Sequence, residues 1–87
     1  EGRLDGQTVM GKAPSGVAQI AKQFGKPVIA FAGAVTPDAV ACNAHGIDAF
    51  FPILRRISTL QEAMEPANAR QNMTDTVEQA LRLFLLK

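Results

Sequence analysis

A short apolar run bounded by glycines constrains most strongly what this chain can fold into. The run Pro27 to Ala32 lies between Gly25 and Gly33 and is too short for a buried helix. It predicts a buried parallel strand, apolar on both faces and therefore covered on both. Amphipathic segments on either side supply such cover, which is the pattern of an open α/β sheet. Ligands of open sheets bind at the carboxyl ends of the strands, so we expect function at residues 33–38 and in any loop beside them.

Helix signals flank the predicted strand on both sides. The first helix is predicted from Pro14, which suits a first helical turn, to Gly25, which suits the position after the last turn. Its apolar residues at helical spacing are Val17, Ile20, Ala21 and Phe24. A second, short helix is predicted after the strand, with Thr36 as N-cap, Pro37 in the first turn and Gly46 at its end.

The rest of the chain predicts one more strand and two helical segments. Residues Ile47 to Ile53 predict a strand parallel to the first, joined by a right-handed crossover, with Pro52 at a strand end or edge. A capping box then marks a helix start. Its two alternative registers pair Ser58 with Gln61 or Thr59 with Glu62. Pro66 interrupts that helix, and the last segment predicts a long amphipathic helix.

Residues 1–14 have no clear period and are rich in glycine, so they predict an ordered loop with at most one short turn near residues 8–10. Within them, Gly6, Gly11 and Lys12 have the spacing of a phosphate-binding P-loop. Ala13 stands where that loop needs a hydroxyl to hold Mg²⁺. The residues alone therefore favour a coincidence of spacing.

Composition limits the chain to one modest core. Its 87 residues are 47% hydrophobic, and two strands do not make a self-sufficient sheet. We therefore expect the remainder of the same polypeptide, or another copy of the chain, to cover the apolar faces. The opening residues, which lack an initiator Met, predict a fragment of a longer protein.

Charge and cysteine usage narrow the partners and the compartment. A net charge of +1 with scattered charges disfavours nucleic acid, and no apolar run approaches the length of a membrane span. The single Cys42 favours a reducing, cytoplasmic setting, and we interpret it as a small buried hydrophobic residue. His45, at a predicted helix end, is interpreted as structural. Thr36 and Asp38 stay open between ligand contact and a role at the helix start.

The first fourteen residues, E-G-R-L-D-G-Q-T-V-M-G-K-A-P, resemble the signature of the glycerate kinase family, which is close to G-E-G-R-x-D-x-Q-T-x-x-G-K-x-P-x-G-V-A. The similarity continues to about residue 51, through Gly16 to Ala18, Gly25 to Ala30 and His45 to Ala49. The resemblance implies an ATP-dependent kinase that uses Mg²⁺ to phosphorylate a hydroxyl of D-glycerate.

The same resemblance implies a domain organisation. Residues 1–87 correspond to the C-terminal part of the Rossmann-like domain of a larger two-domain kinase. Residues 1–14 are then its functional loop, and residues 15–87 are βα units and a C-terminal helix. We expect this segment to be inactive by itself.

The resemblance also assigns chemistry to residues 1–14. Phosphoryl transfer needs positive charge on the transferring oxygens, carboxylates for Mg²⁺ or the hydroxyl proton, and donors for a polyhydroxy acid. We predict Asp5 and Lys12 as catalytic, with Asp5 on the metal or the hydroxyl and Lys12 on phosphate or the glycerate carboxylate. The predicted substrate-binding residues are Glu1, Arg3, Gln7 and Thr8.

Other interpretations compete with this one. In a structural alternative, Asp5 pairs with Arg3, while Gln7 and Thr8 cap a turn. Two other functions also stay open. The chain is then either a non-catalytic α/β module that binds a small anion, or a segment that only completes the fold of a larger protein.

Overall fold

A computed structural model of the chain describes residues 1–10 and 13–86. They form two compact units, Glu1–Pro52 and Ile53–Lys87. The first unit contains the strands β1 (Arg3–Leu4), β2 (Ile29–Ala32), β3 (Ala34–Val35) and β4 (Ala49–Pro52). It also contains helix α1 (Ala13–Gln23) and two 3₁₀ helices, Gly6–Val9 and Pro37–His45. The second unit contains helices α2 (Leu60–Met64) and α3 (Pro66–Phe84).

The predicted apolar strand is β2, and its predicted parallel partner is β4. Ile29 lies opposite Ala49, and the rings of Phe31 and Phe51 stack with their centroids 5.9 Å apart. Pro52 is the last residue of β4, as predicted for a proline at a strand end. Most of β2 is only half-buried, because no further strand pairs with β2 or β4 among the residues that the structure describes. The fold is an open, incomplete α/β arrangement of helices with short parallel strands.

A second parallel pair joins β1 to β3, and it corrects the prediction of a loop over residues 1–14. The Gly33 and Ala34 N–H groups donate to the carbonyls of Glu1 and Gly2, at 2.9 and 3.1 Å. A Cβ at Gly33 would lie 2.9 Å from the Gly2 oxygen, so glycine permits this close approach. The pairing depends on residues thirty positions away, and therefore leaves no local pattern in the sequence.

Helix α1 has nearly the predicted bounds, but its predicted apolar stripe is not its buried face. Ser15 and Ala18 are buried instead, while the larger apolar residues of that stripe are exposed. Those exposed residues are Val17, Ile20 and Phe24. The side chains of α1 that face the core are small because the backbone at Gly46 lies close to this face of the helix. A Cβ at Gly46 would lie only 3.3 Å from the Ala18 Cβ.

The predicted short helix after β2 is the 3₁₀ helix Pro37–His45. It begins after Thr36 and ends at Gly46, whose φ of 97° is left-handed, as the sequence predicts. Three residues per turn place Ala39 and Cys42 on one side of it, and both are fully buried. Cys42 packs with Ala18 and Ile47 in one core cluster, which confirms its interpretation as a buried hydrophobic residue.

The second unit begins its helices with the predicted capping box. The Thr59 hydroxyl accepts from the Glu62 N–H at 3.1 Å, and the Glu62 carboxylate accepts from the Thr59 N–H at 2.9 Å. The register that starts at Ser58 is therefore wrong. Pro66 begins α3 and separates it from α2, as predicted. Within the described part of the chain, no helix is both long enough and apolar enough to cross a membrane.

Candidate functional site

Polar side chains gather where β1 and β3 end. Asp5 directly follows β1, and Thr36 directly follows β3. Because the two strands are parallel, both carboxyl ends lie at the same edge. Ligands of α/β sheets bind at such edges. We call residues 5–8 and 36–38 the strand edge, and it coincides with the region that the sequence indicates for function.

Asp5 caps the 3₁₀ helix that starts the strand edge. Its Oδ1 accepts from the Gln7 N–H at 2.9 Å, and its own N–H donates to the Thr8 hydroxyl at 3.1 Å. Asp5 is 7% exposed and Thr8 is 1% exposed, so this reciprocal capping box is buried. The turn is held from inside the protein, while the Gln7 side chain is exposed.

Arg3 is anchored to the same carboxylate. Its Nε and one terminal nitrogen each lie 3.2 Å from Asp5 Oδ2. The Asp5 side chain is 11% exposed and the Arg3 side chain is 65% exposed. A buried carboxylate therefore orients a guanidinium whose other donors remain accessible to an anion.

Asp38 and Thr36 complete the edge from the other strand. The Thr36 hydroxyl donates to the Asp38 carboxylate and lies 3.4 Å from the Leu4 carbonyl oxygen. Hydrogen bonds from Thr36 and from the Gly6 backbone, together with the positive charge of Arg3, hold the pKa of Asp38 below its ordinary value. Thr36 occupies the N-cap position, but its side chain makes no capping hydrogen bond.

The structure brings together four of the six residues predicted for the site: Arg3, Asp5, Gln7 and Thr8. Glu1 lies before β1 and Asp5 after it, about 13 Å apart at the usual rise of a strand. Lys12 lies outside the described residues. Of the contacts predicted by the structural alternative, the Arg3 pair with Asp5 and the Thr8 cap are present, but the second capping side chain is that of Asp5 and not that of Gln7.

Asp38 joins this group although the sequence left its role open. A Cβ placed on Gly6 would lie 2.6 Å from Asp38 Oδ2, so the carboxylate packs against the Gly6 backbone. The available signal was the Thr36-Pro37-Asp38 sequence directly after the apolar strand. His45, in contrast, lies at the far end of the second 3₁₀ helix, with its Nδ1 3.0 Å from the Ala41 carbonyl.

The donor set at the strand edge limits what metal it can hold. Among residues 1–10 and 13–86, no group of three or more His, Cys, Asp or Glu side chains is arranged to bind a metal ion. Asp5 and Asp38 are the carboxylates available at the edge. Mg²⁺ in kinases is commonly held by one or two carboxylates together with substrate phosphates. The edge therefore fits Mg²⁺ that arrives with a nucleotide, and does not fit a resident metal cage.

Comparison with known proteins points to one family. The glycerate kinase family matches this chain over residues 1–85. A glycerate kinase from Haemophilus influenzae is 44% identical over 87 residues, covering 100% of this chain and 22% of the relative. A glycerate 2-kinase from Escherichia coli is 44% identical, covering 94% of this chain and 23% of the relative. A glycerate kinase from Halalkalibacterium halodurans is 52% identical over 69 residues, covering 79% of this chain and 18% of the relative.

The length of the match is as informative as its identity. The chain spans about a fifth of the length of the curated relatives it matches. No solved structure matches it significantly. The matched residues include the whole strand edge, from Asp5 to Asp38. By sequence and by the extent of the match, this chain belongs to the glycerate kinase family.

Proposed function

We propose that this chain is a segment of an ATP-dependent kinase that phosphorylates a hydroxyl of D-glycerate to give phosphoglycerate. Membership of the glycerate kinase family supports the reaction class. The observation that carries the proposal for this segment is the Arg3 guanidinium, exposed and anchored on the buried Asp5 at the carboxyl ends of two parallel strands. A fixed cation at a strand edge suits a small anionic substrate.

The residues of the edge divide the work of binding. Arg3 binds the carboxylate of glycerate or a phosphate oxygen, because its free donors face solvent while Asp5 fixes its orientation. Gln7, exposed on the same turn, donates to or accepts from substrate hydroxyls. Thr8 positions that turn through its buried hydroxyl. For Glu1 and Lys12 the roles in substrate and phosphate binding rest on the family signature.

Asp5 has a second role in this proposal. Its carboxylate keeps the Arg3 side chain in place and supplies negative charge near the substrate hydroxyl. When bound with ATP, Mg²⁺ would neutralise charge on the phosphate oxygens, and Asp5 is the carboxylate at the edge that would hold it. Removal of the Asp5 charge should therefore affect the chemical step more than substrate affinity.

The remainder of the kinase belongs to the same proposal. Residues 1–87 form the C-terminal part of its Rossmann-like domain, in a cytoplasmic enzyme that needs neither nucleic acid nor membrane. Large apolar side chains on α1 and α3 are exposed in this chain, among them Ile20 and Leu83. The remainder of the same polypeptide, or a second copy, covers them. The 87-residue chain alone is therefore expected to have no kinase activity.

A segment exchange tests the proposal. In the Haemophilus influenzae glycerate kinase, the matched segment is replaced by this chain, and ATP-dependent phosphorylation of D-glycerate is measured. We expect turnover within about tenfold of the parent, which corresponds to a change of at most about 1.4 kcal/mol in the activation free energy. Arg3→Met in the chimera should raise KM for glycerate at least about tenfold. A folded chimera without turnover, judged by its thermal melt, would contradict the proposal.

The exposed guanidinium of Arg3 also suits a module that binds a small anion without turnover. Calorimetry on the same chimera separates the two functions. Binding of D-glycerate with no ATP-dependent product would favour the non-catalytic module. Product formation that is lost without Mg²⁺ supports the kinase.

A further inference from the structure

Asp38 holds the strand edge from outside the turn that carries the predicted site residues. It lies on the segment after β3, whereas Asp5, Gln7 and Thr8 belong to the turn after β1. Its Oδ2 lies 2.6 Å from the position that a Cβ of residue 6 would occupy. Its Oδ1 is bonded to the Thr36 hydroxyl. One exposed carboxylate thus bridges the two segments that form the edge.

We propose that Asp38 is a positioning residue, whose carboxylate holds the Gly6 backbone and so fixes the turn that presents Arg3, Asp5 and Gln7 to the substrate. The inference rests on the proposed kinase function and names a residue that the family signature in residues 1–14 does not contain. Asp38 acts through Gly6 and has no contact with the substrate in this account.

Thr36 makes the Asp38 side chain rigid. Its hydroxyl lies 3.4 Å from the Leu4 carbonyl on β1 and is also bonded to Asp38. The backbone N–H of Thr36 donates to the same carbonyl at 3.0 Å. Asp38 is therefore attached to β1 on one side, through Thr36, and to the turn after β1 on the other, through Gly6. A residue fixed at both ends can set the position of the turn to a fraction of an ångström, which is the scale on which substrate alignment matters.

Gly6 fits this role because any side chain there would displace the carboxylate. A Cβ at residue 6 would lie 2.6 Å from Asp38 Oδ2 and 3.0 Å from Cγ, but 3.4 Å from Cβ. Truncation of Asp38 to Ala removes the two close contacts and keeps only the ordinary one. The two substitutions Gly6→Ala and Asp38→Ala therefore break the same contact, and the second relieves the clash that the first creates.

This geometry defines a double-mutant test in the chimera. Asp38→Ala and Gly6→Ala are each expected to raise KM for glycerate about tenfold, with kcat changed less than about threefold and KM for ATP unchanged. In the double variant, KM for glycerate should be at most about twofold higher than in either single variant. Asp38→Asn keeps an acceptor of the same size, so KM should rise less than about threefold. Gly16→Ala is the matched control, because Gly16 is an exposed residue of α1 and an added Cβ there would have no atom within 4 Å.

A direct role for Asp38 gives a different pattern and would overturn the proposal. If its charge touches Mg²⁺ or the substrate, Asp38→Asn should be as impaired as Asp38→Ala, with the loss in kcat or in KM for ATP. Independent effects of Asp38→Ala and Gly6→Ala, whose factors multiply in the double variant, would also overturn it.

Amide hydrogen exchange separates this inference from the proposed function. In the same variants, exchange at Gln7 and Thr8 is measured without substrate, so the readout does not depend on turnover. Asp38→Ala should speed exchange there at least about fivefold, and Asp38→Asn less. A chimera that is inactive but shows this change would contradict the kinase proposal and support the positioning role. Unchanged exchange in Asp38→Ala would overturn the positioning role whether or not the chimera is active.

Discussion

The chain contains the same local device twice, in two different settings. Asp5 and Thr8 form a capping box at the end of β1, and Thr59 and Glu62 form one at the start of α2. In both, the side chain of the N-cap residue accepts a hydrogen bond from a backbone N–H two or three residues later. The side chain three residues after the N-cap accepts one from the N-cap N–H. The first box is buried and its carboxylate also binds Arg3. The second is exposed, and among the described residues its carboxylate bonds only within the box.

The difference between the two capping boxes shows which surroundings can make a common structural motif part of a functional site. A capping box stabilises a helix start wherever it occurs. At the first site it also lies at the carboxyl ends of parallel strands, beside an exposed guanidinium and a second carboxylate, Asp38. We therefore infer that the surroundings of the box, and not the box itself, make the strand edge a candidate site. Substitutions matched between the two boxes test this inference.

The largest expected effect is on turnover. Asp5→Asn in the chimera keeps a good N-cap and removes the charge beside Arg3, so we expect kcat to fall at least about a hundredfold, or roughly 2.7 kcal/mol. Thr59→Asn, which also keeps a good N-cap, should leave kcat within about twofold. Steady-state kinetics measure both, with thermal melts as the folding control. A near-normal kcat for a folded Asp5→Asn variant would reduce the first box to a structural element.

The next effect is on stability. Thr8→Val leaves the buried N–H of Asp5 without its acceptor, which should lower the free energy of unfolding by about 2 kcal/mol. Thr59→Val removes an exposed cap and should lower it by about 1 kcal/mol. Urea unfolding of the two variants gives the ratio. Equal losses would mean that burial does not distinguish the two boxes.

Lys12 should affect binding more than turnover. On the proposal that Lys12 binds phosphate, Lys12→Met removes a point charge that acts in ground and transition states alike, so we expect KM for ATP or glycerate to rise about tenfold. The same assay should show kcat changed less than about threefold. If kcat instead fell as far as in Asp5→Asn, the two residues would share the chemical step.

The smallest expected effect is on the stability of the protein at acidic pH. Hydrogen bonds from the Thr59 backbone, and then from its side chain, hold the pKa of Glu62 below its ordinary value. Because the pKa of Glu62 is lower in the folded state than in the unfolded state, its carboxylate stabilises the folded protein. This contribution is complete above the unfolded pKa, near 4.3, and is lost as the pH falls through the lower folded pKa. Melting temperatures below about pH 4.3 should therefore fall less steeply in Glu62→Gln, a substitution that preserves the box. Identical slopes in the two proteins would contradict this.

Elements with a local signal were predictable from the sequence. The apolar run predicts β2, Gly46 predicts the end of the second 3₁₀ helix, and the capping box predicts the start of α2 in one of its two registers, because each depends on neighbours in the chain. The strand β1 was missed because two residues acquire their conformation from a distant partner strand. The burial of Ser15 and Ala18, in place of larger apolar neighbours, depends in the same way on a close approach to Gly46.

The contacts of the candidate site were likewise predictable only where they join neighbours in the sequence. The pair of Arg3 with Asp5 and the Thr8 cap of the turn followed from the sequence as the structural alternative, because their partners are two or three residues apart. The contact of Asp38 with Gly6 did not, because it joins segments separated by β2 and α1. A motif found in residues 1–14 therefore identifies one half of the strand edge, and the topology supplies the other half.

The most direct test of the strand edge is a footprint of bound substrate. Amide hydrogen exchange is measured in the chimera with and without saturating D-glycerate and a non-hydrolysable ATP analogue. We predict slowing of at least about fivefold at residues 3–9, and no change at residues 59–64, the second capping box. Protection at residues 59–64 with none at residues 3–9 would contradict the account.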